Sequence, residues 1–304
     1  MKDIKIIIKK FLVFLFIVAV LDYAIGSGLR KCYFSLKKGD DFRTTYMLDS
    51  VRSDILVLGS SRASHHYDTQ LISDSLHISA YNGGRDGCFI FYYYALLKSV
   101  LSRYHPKMVI LDVLPNEFQR APEAYDRLSI LLPYYKSHPE IRPVCQLKSR
   151  FEKYKLLSQI YPFNSKLLEA TSALLSKQRH GNETLKGYIP LHSQWKFPKP
   201  VVKLSDDIDT TKVLYFEKFV SDCNKAHVKL LVSVSPIYIN YTGSTKTLDM
   251  VQAICKRNHI QYYNYMTDET YDHTRLFADA YHLNSSGATL FTKQFLSVIR
   301  NNLN

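Results

Sequence analysis

The chain has 304 residues, 46% of them hydrophobic, which is enough for one large α/β domain with an appendage and excludes a disordered or collagen-like protein. Five cysteines, Cys32, Cys88, Cys145, Cys223 and Cys255, are scattered without C-x-x-C spacing, so neither a zinc ribbon nor a dense disulfide framework fits. The formal net charge of +13 would suit nucleic acid. However, four lysines crowd the first ten residues and other basic residues are spread from Arg142 to Lys203, where different explanations apply.

In chain order, Lys2, Lys5, Lys9 and Lys10 precede FLVFLFIVAVLDYAIGSGL, Phe11 to Leu29, 19 residues with one charge, Asp22. At 1.5 Å per residue a helix here is about 28 Å long, close to the hydrocarbon thickness of a bilayer. The segment reads as an uncleaved membrane anchor over residues 1–30, since no A-x-A cleavage site follows the apolar run. The flanking lysines predict a single-pass protein with a cytoplasmic N-terminus and an extracytoplasmic (periplasmic) remainder, which disfavours nucleic acid as a partner. Residues 31–50 read as a linker, leaving 51–304 as one domain.

Within that domain short apolar runs alternate with helical patterns, as in a parallel sheet covered on both faces. Strands are expected at Ile55–Leu58, Ile78–Tyr81, Met108–Asp112, Lys229–Val234 and Gln261–Tyr265, and a well-buried helix at Phe89–Tyr104. Between about 118 and 205 the alternation stops. A largely helical, basic insertion containing SRFEKYKLLSQIYPFNSKLLEATSALLSKQ intervenes, either as a cap over a site or as an excursion on the sheet edge.

Five pieces would meet at the C-terminal end of such a sheet, where open α/β folds place their ligands. They are Gly59-Ser60-Ser61-Arg62 after the first strand, NGGRDG (Asn82 to Gly87) after the second, Asn116 after the third, and Asp279 with His282 in DAYHLNSSGA. A serine hydroxyl becomes a nucleophile when an imidazole takes its proton, and the imidazole needs a carboxylate to orient it. The oxyanion that follows needs donors already in place, which a glycine-rich loop and an amide side chain supply. Arg62 reads as a candidate anchor for an anionic substrate or as a brace to Asp86 or Asp112. Asp272 with His273 is a rival acid–base pair. Adjacent His65 and His66 point different ways and lack a third ligand of useful spacing, so no metal is expected.

The order Gly-Ser-Ser, glycine loop, Asn, then D-x-x-H followed by L-N-x-x-G-A resembles the SGNH (GDSL-like) hydrolase superfamily over roughly residues 50–116 and 210–304. The resemblance implies a flavodoxin-like three-layer α/β/α sandwich with a parallel sheet and ester chemistry through serine. It assigns Ser61 as nucleophile, His282 and Asp279 as its base pair, Gly87 and Asn116 as oxyanion donors, and no cofactor. Two departures stand out. Ser60 replaces the family's Asp in the first block, a change common in membrane-anchored cell-envelope relatives that resemble alginate-type acetyltransferases. The third block reads Leu114-Pro115-Asn116-Glu117 in place of G-x-N-D.

The function these features favour is that of a membrane-anchored serine acyl-ester hydrolase or O-acyltransferase, with acetyl as the expected group, on an acylated cell-envelope glycan and working with envelope polysaccharide-assembly proteins. Two other readings are a non-catalytic glycan-binding or assembly component that keeps the fold, and a lipid esterase at a membrane surface.

Overall fold

Short runs of aliphatic residues become strands because their side chains are buried on both sides of the pleat. In the computed structural model, which describes residues 2–166 and 186–303, the strands are β1 Ile55–Leu58, β2 Ala80–Asn82, β3 Met108–Asp112, β4 Val201–Leu204, β5 Lys229–Val234, β6 Asn240–Gly243 and β7 Gln261–Asn264. The labelled helices are α1 Lys2–Phe34, α2 Gly39–Asp49, α3 Ser61–His66, α4 Thr69–Leu76, α5 Ile90–Leu101, α6 Thr210–Lys225, α7 Lys246–Arg257 and α8 Ser285–Leu303. The described residues belong to two compact units, Met1–Phe42 with Leu128–Gly181, and Arg43–Arg127 with Asn182–Asn304.

The second unit holds a five-stranded sheet in the order β2-β1-β3-β5-β7, parallel throughout. Ile55 lies opposite Met108 and Leu58 opposite Leu111, so β1 and β3 start level and β3 runs one residue further, to Asp112. Every residue of β1, β2 and β3 is buried, as a sheet sheltered on both faces requires. On one face Phe291, Phe295 and Ile299 of α8, spaced by four, join Ile55, Val57, Ile110 and Leu231 in one apolar cluster. Each such aromatic contributes about 1.5–3 kcal/mol by burial. Elsewhere α5 and α6 pack together, with Phe91 edge-on to Tyr215 at 5.2 Å. Helix α8 opens on a side-chain cap: Asn284 Oδ1 accepts the Gly287 N–H at 3.0 Å.

β1 runs out toward β2 on one side and β3 on the other, so the strand order reverses at β1/β3, the position where a crevice opens in doubly wound sheets. A separate parallel pair, β4 with β6, has no counterpart among the expected strands. Both are short and mostly exposed, without an apolar run to signal them.

The expected membrane anchor is corrected. Among the described residues no helix is long and apolar enough to cross a membrane. α1 has the length, but its longest run free of charged residues, Phe11 to Leu21, covers only 11 residues, about 16 Å against a hydrocarbon core of about 30 Å. Asp22 ends that run, and it is held by polypeptide: its carboxylate accepts the Ser158 hydroxyl at 2.5 Å and the N–H groups of Gln159 and Ile160 at 2.7 and 3.3 Å. One turn on, a Cβ at Gly26 would fall 2.5 Å from the Gln159 backbone carbon. The single-pass topology, the periplasmic placement of the remainder and the membrane as a partner rested on this segment and fall with it, as does the membrane-anchored, cell-envelope form of the family resemblance.

That first unit is knit by aromatic contacts. Tyr33 meets Tyr134 edge-on at 5.9 Å with their hydroxyls 3.2 Å apart, and Tyr33 lies 5.7 Å from Phe163. The described part of the insertion forms short turns, among them Arg142–Cys145, Glu152–Lys155 and Tyr161–Lys166. The rest of its expected helical stretch, from residue 167 on, lies outside the described residues.

Candidate active site

β1 must stop and reverse into α3 within two residues, and Gly59 makes the turn. Its φ is +150°, and a Cβ there would lie 2.8 Å from the Asp112 carbonyl oxygen and 2.8 Å from the Ala63 Cβ. Ser60 follows as the N-cap, and Ser61 opens α3. The side chain of Ser61 is half-buried at the end of the sheet, beside the β1/β3 crevice.

The partner of Ser61 comes from 221 positions away. Ser61 Oγ lies 2.7 Å from His282 Nε2, and His282 Nδ1 lies 2.9 Å from both carboxylate oxygens of Asp279. With Nδ1–H donating to Asp279, Nε2 is free to accept the Ser61 proton. Asp279 Oδ1 also accepts the N–H groups of Tyr281 and His282 at 2.7 and 3.0 Å. Burial works to raise the Asp279 carboxyl. His282 and these two N–H donors overcome it and hold the carboxyl below its ordinary value, so it is ionised at neutral pH.

The loop carrying this pair is docked by a residue that sequence reasoning did not place in the site. Leu283 N–H donates to His66 Nε2 at 2.9 Å, and His66 Nδ1 faces Ser235 Oγ at 2.8 Å. Since Nε2 accepts, Nδ1 carries the hydrogen and donates to the serine. Burial, reinforced by the charges of His282, Arg62 and His65, pushes His66 well below its ordinary pKa, so it is a neutral spacer. Nothing in the local sequence signals this, because both partners are distant in the chain. Neighbouring His65 turns elsewhere, with Nδ1 2.7 Å from the Ile189 carbonyl and Nε2 3.5 Å from Asp86. Its ring meets His282 edge-on at 5.4 Å.

Arg62 lies beneath the crevice with its side chain 1% exposed. Its Nη2 donates to Asp112 Oδ1 at 3.0 Å and to the Val113 carbonyl at 2.5 Å, and Nη1 donates to the Ser235 carbonyl at 3.3 Å. Asp112 Oδ2 is filled by the Tyr67 hydroxyl at 2.8 Å and the Ser235 N–H at 3.0 Å. Of the two roles expected for this guanidinium, anchor or brace, it is thus engaged in bracing the ends of β3 and β5. Of the rival pair, Asp272 is bound to Lys199 at 2.8 Å.

Ser61, His282, Gly87 and Asn116 line one cleft of about 260 Å³, together with Leu114, Tyr241 and Tyr281. Of the three glycines in the second loop, Gly83 spends its N–H on the Val57 carbonyl at 2.8 Å and Gly84 on Asn82 Oδ1 at 2.9 Å. Gly87, at φ +67°, has no acceptor for its N–H among the described residues. Gly84 serves close packing instead. A Cβ there would lie 2.4 Å from Ser64 N, so only glycine lets this loop lie against α3. Asn116 is exposed, and its amide has no partner among the described residues. A second cavity of about 380 Å³ shares Ile237 and Tyr241 with the first and is lined by Lys199, Asn240, Thr267 and Glu269 among others.

No family model and no curated protein matches this sequence. Among solved structures the chain is similar to a protein assigned as an acylhydrolase from Bacteroides fragilis NCTC 9343, at 10% identity and TM-score 0.45, covering 88% of this chain and 100% of that one. It is also similar to a protein assigned to the lipolytic G-D-S-L family from Desulfitobacterium hafniense DCB-2, at 12% identity and TM-score 0.42, over 80% and 98% of the two chains. A third similarity is to the acetyl xylan esterase AlAXEase, at 12% identity and TM-score 0.43, over 81% and 99%.

Proposed function

We propose that this protein is a serine-dependent acyl-ester hydrolase or O-acyltransferase acting on an acetylated glycan. The observation that carries the reading is the hydrogen-bonded series Ser61–His282–Asp279, at 2.7 and 2.9 Å, opening onto a cleft that also holds Gly87 and Asn116.

In this reading Ser61 Oγ attacks the acyl carbonyl carbon while its proton passes to His282 Nε2, and Asp279 stabilises the imidazolium. The carbonyl oxygen, now negative, meets the Gly87 N–H and the Asn116 amide. Losing one such donor typically costs about 100- to 1,000-fold in rate. Collapse breaks the bond to the sugar oxygen, which leaves with the proton from His282. A water molecule or a second sugar hydroxyl, deprotonated by His282, then attacks the acyl-serine and restores Ser61.

A glycan is favoured over a lipid by the cleft's surroundings. Tyr281, 46% exposed, and Tyr241 offer rings to a sugar face, and the adjoining cavity adds polar side chains. The test is to incubate the full chain with p-nitrophenyl acetate and a fluorophosphonate probe, comparing wild type with Ser61→Ala and His282→Ala. Release and labelling that vanish in Ser61→Ala support the reading. A folded wild type that neither labels nor turns over sinks it, and favours the non-catalytic glycan-binding component.

A further inference from the structure

Two buried charged residues beside the cleft take no part in the chemistry above. Glu117 is 1% exposed and follows Asn116 directly. Its Oε1 accepts the N–H of Ile90, the first residue of α5 and three positions after Gly87, at 2.6 Å. Its Oε2 faces the Leu114 N–H at 3.5 Å, closing its own turn. Lys212 of α6 is fully buried as well. Its Nζ donates to the Gln119 carbonyl at 2.7 Å and sits 4.0 Å from the centroid of the Phe89 ring. Each residue therefore touches both the segment that follows Gly87 and the segment that surrounds Asn116.

We propose that Glu117 and Lys212 form a clamp that fixes the spacing between Gly87 and Asn116, making them positioning residues for the oxyanion site. The inference rests on the function proposed above. Burying two opposite charges gains little over apolar packing of the same volume, so stability alone is a weak reason for the pair. Spacing is a stronger one: two donors must meet one oxygen, and a misplacement of about 1 Å can cost about 100-fold in rate. The third block departs from G-x-N-D at this point. Glu117, longer than Asp by one methylene, is what reaches across to Ile90.

The test uses the full chain with p-nitrophenyl acetate, measuring kcat and KM separately, and thermal unfolding, for wild type, Glu117→Gln, Glu117→Asp, Lys212→Met, Asn116→Ala and the Glu117→Gln/Asn116→Ala double variant. The clamp predicts that folded Glu117→Gln and Lys212→Met lose at least about 10-fold in kcat with little change in KM. It also predicts that the double variant is scarcely slower than Asn116→Ala, because both changes act through the same oxygen. Wild-type kcat in the folded single variants, or losses that multiply in the double variant, overturn the clamp and leave Ser61 chemistry standing. If Glu117→Gln does not fold, Glu117→Asp decides: it keeps the charge and shortens the reach, so a lower kcat at unchanged KM supports the clamp and an unchanged kcat refutes it. A wild type without Ser61-dependent turnover removes both proposals together.

Discussion

His66 Nε2 accepts the backbone N–H of Leu283 at 2.9 Å, fastening the residue next to His282 to the helix that begins with Ser61. The proposed nucleophile and its proposed base thus share one rigid support. Replacing His66 by Leu should lower kcat by about 100-fold with little effect on KM, read by steady-state kinetics on p-nitrophenyl acetate. It also leaves the Leu283 N–H and the Ser235 hydroxyl unmatched, at roughly 1–3 kcal/mol of stability.

The same residue gives an acid-sensitive fold. Its folded pKa lies well below the value of 6.5 that it regains on unfolding, so the unfolded chain binds the extra proton. The stability that His66 contributes is present above pH 6.5 and declines as pH falls below it, by at most about 1.4 kcal/mol per unit. Urea unfolding of wild type and His66→Gln between pH 7 and pH 5 should show the wild type losing more, the whole scan being set by the ordinary imidazole range.

Ser61→Ala should abolish turnover, a loss of roughly 1,000-fold or more, with an unchanged melting temperature, since one half-buried oxygen is removed. Asp279→Asn should also lower kcat strongly, because an amide can present its NH2 to Nδ1 and favour the wrong tautomer of His282. Circular dichroism melts beside the kinetics separate these losses from unfolding.

Glu117 titrates in the opposite sense. Burial pushes its carboxyl up to about 7, against the pull of Lys212, Arg62 and the Ile90 and Leu114 N–H groups. A carboxyl raised above its unfolded value of 4.5 contributes most below that pH and loses the contribution as pH rises toward 7. Relative to Glu117→Gln, wild type should therefore lose up to roughly 3 kcal/mol between those limits. Denaturant midpoints at pH 4.5 and pH 7.5, chosen to bracket about the range of the shift, check this, and a constant difference would contradict it.

Arg62→Met should destabilise the fold by roughly 3–5 kcal/mol, since it leaves Asp112 as an uncompensated buried charge. Arg62→Met with Asp112→Asn should recover part of that loss, because the amide is neutral while its oxygen still accepts from the Tyr67 hydroxyl or the Ser235 N–H. If Arg62 instead bound an anionic substrate, the single variant would raise KM for acidic esters while the fold kept its stability.

Much of this was legible from local pattern. Aliphatic runs announced β1, β3 and β5, and Gly59-Ser60-Ser61 announced the turn at the end of β1 that sets Ser61 beside His282. The choice of Gly87 rests on spacing; Gly83 and Gly84 spend their N–H groups within the fold, and Gly87 lines the cleft. What stayed hidden depends on distant partners. His66 takes its role from Ser235 and Leu283, and Glu117 from Ile90. The apolar run of α1 reads as a membrane span because Asp22 is the one charge between Phe11 and Leu29, whereas its partners lie far along the chain at Ser158 to Ile160.

The 221 positions between Ser61 and His282 have a consequence for how the molecule comes to be active. Contacts of such separation form late, after the loop-closure entropy between them has been met by the sheet. A chain refolding from denaturant should thus regain its secondary structure before it regains turnover. The proposed esterase activity would then serve as a clock for the docking of α8, marking the moment when the two ends of the sheet domain have found each other.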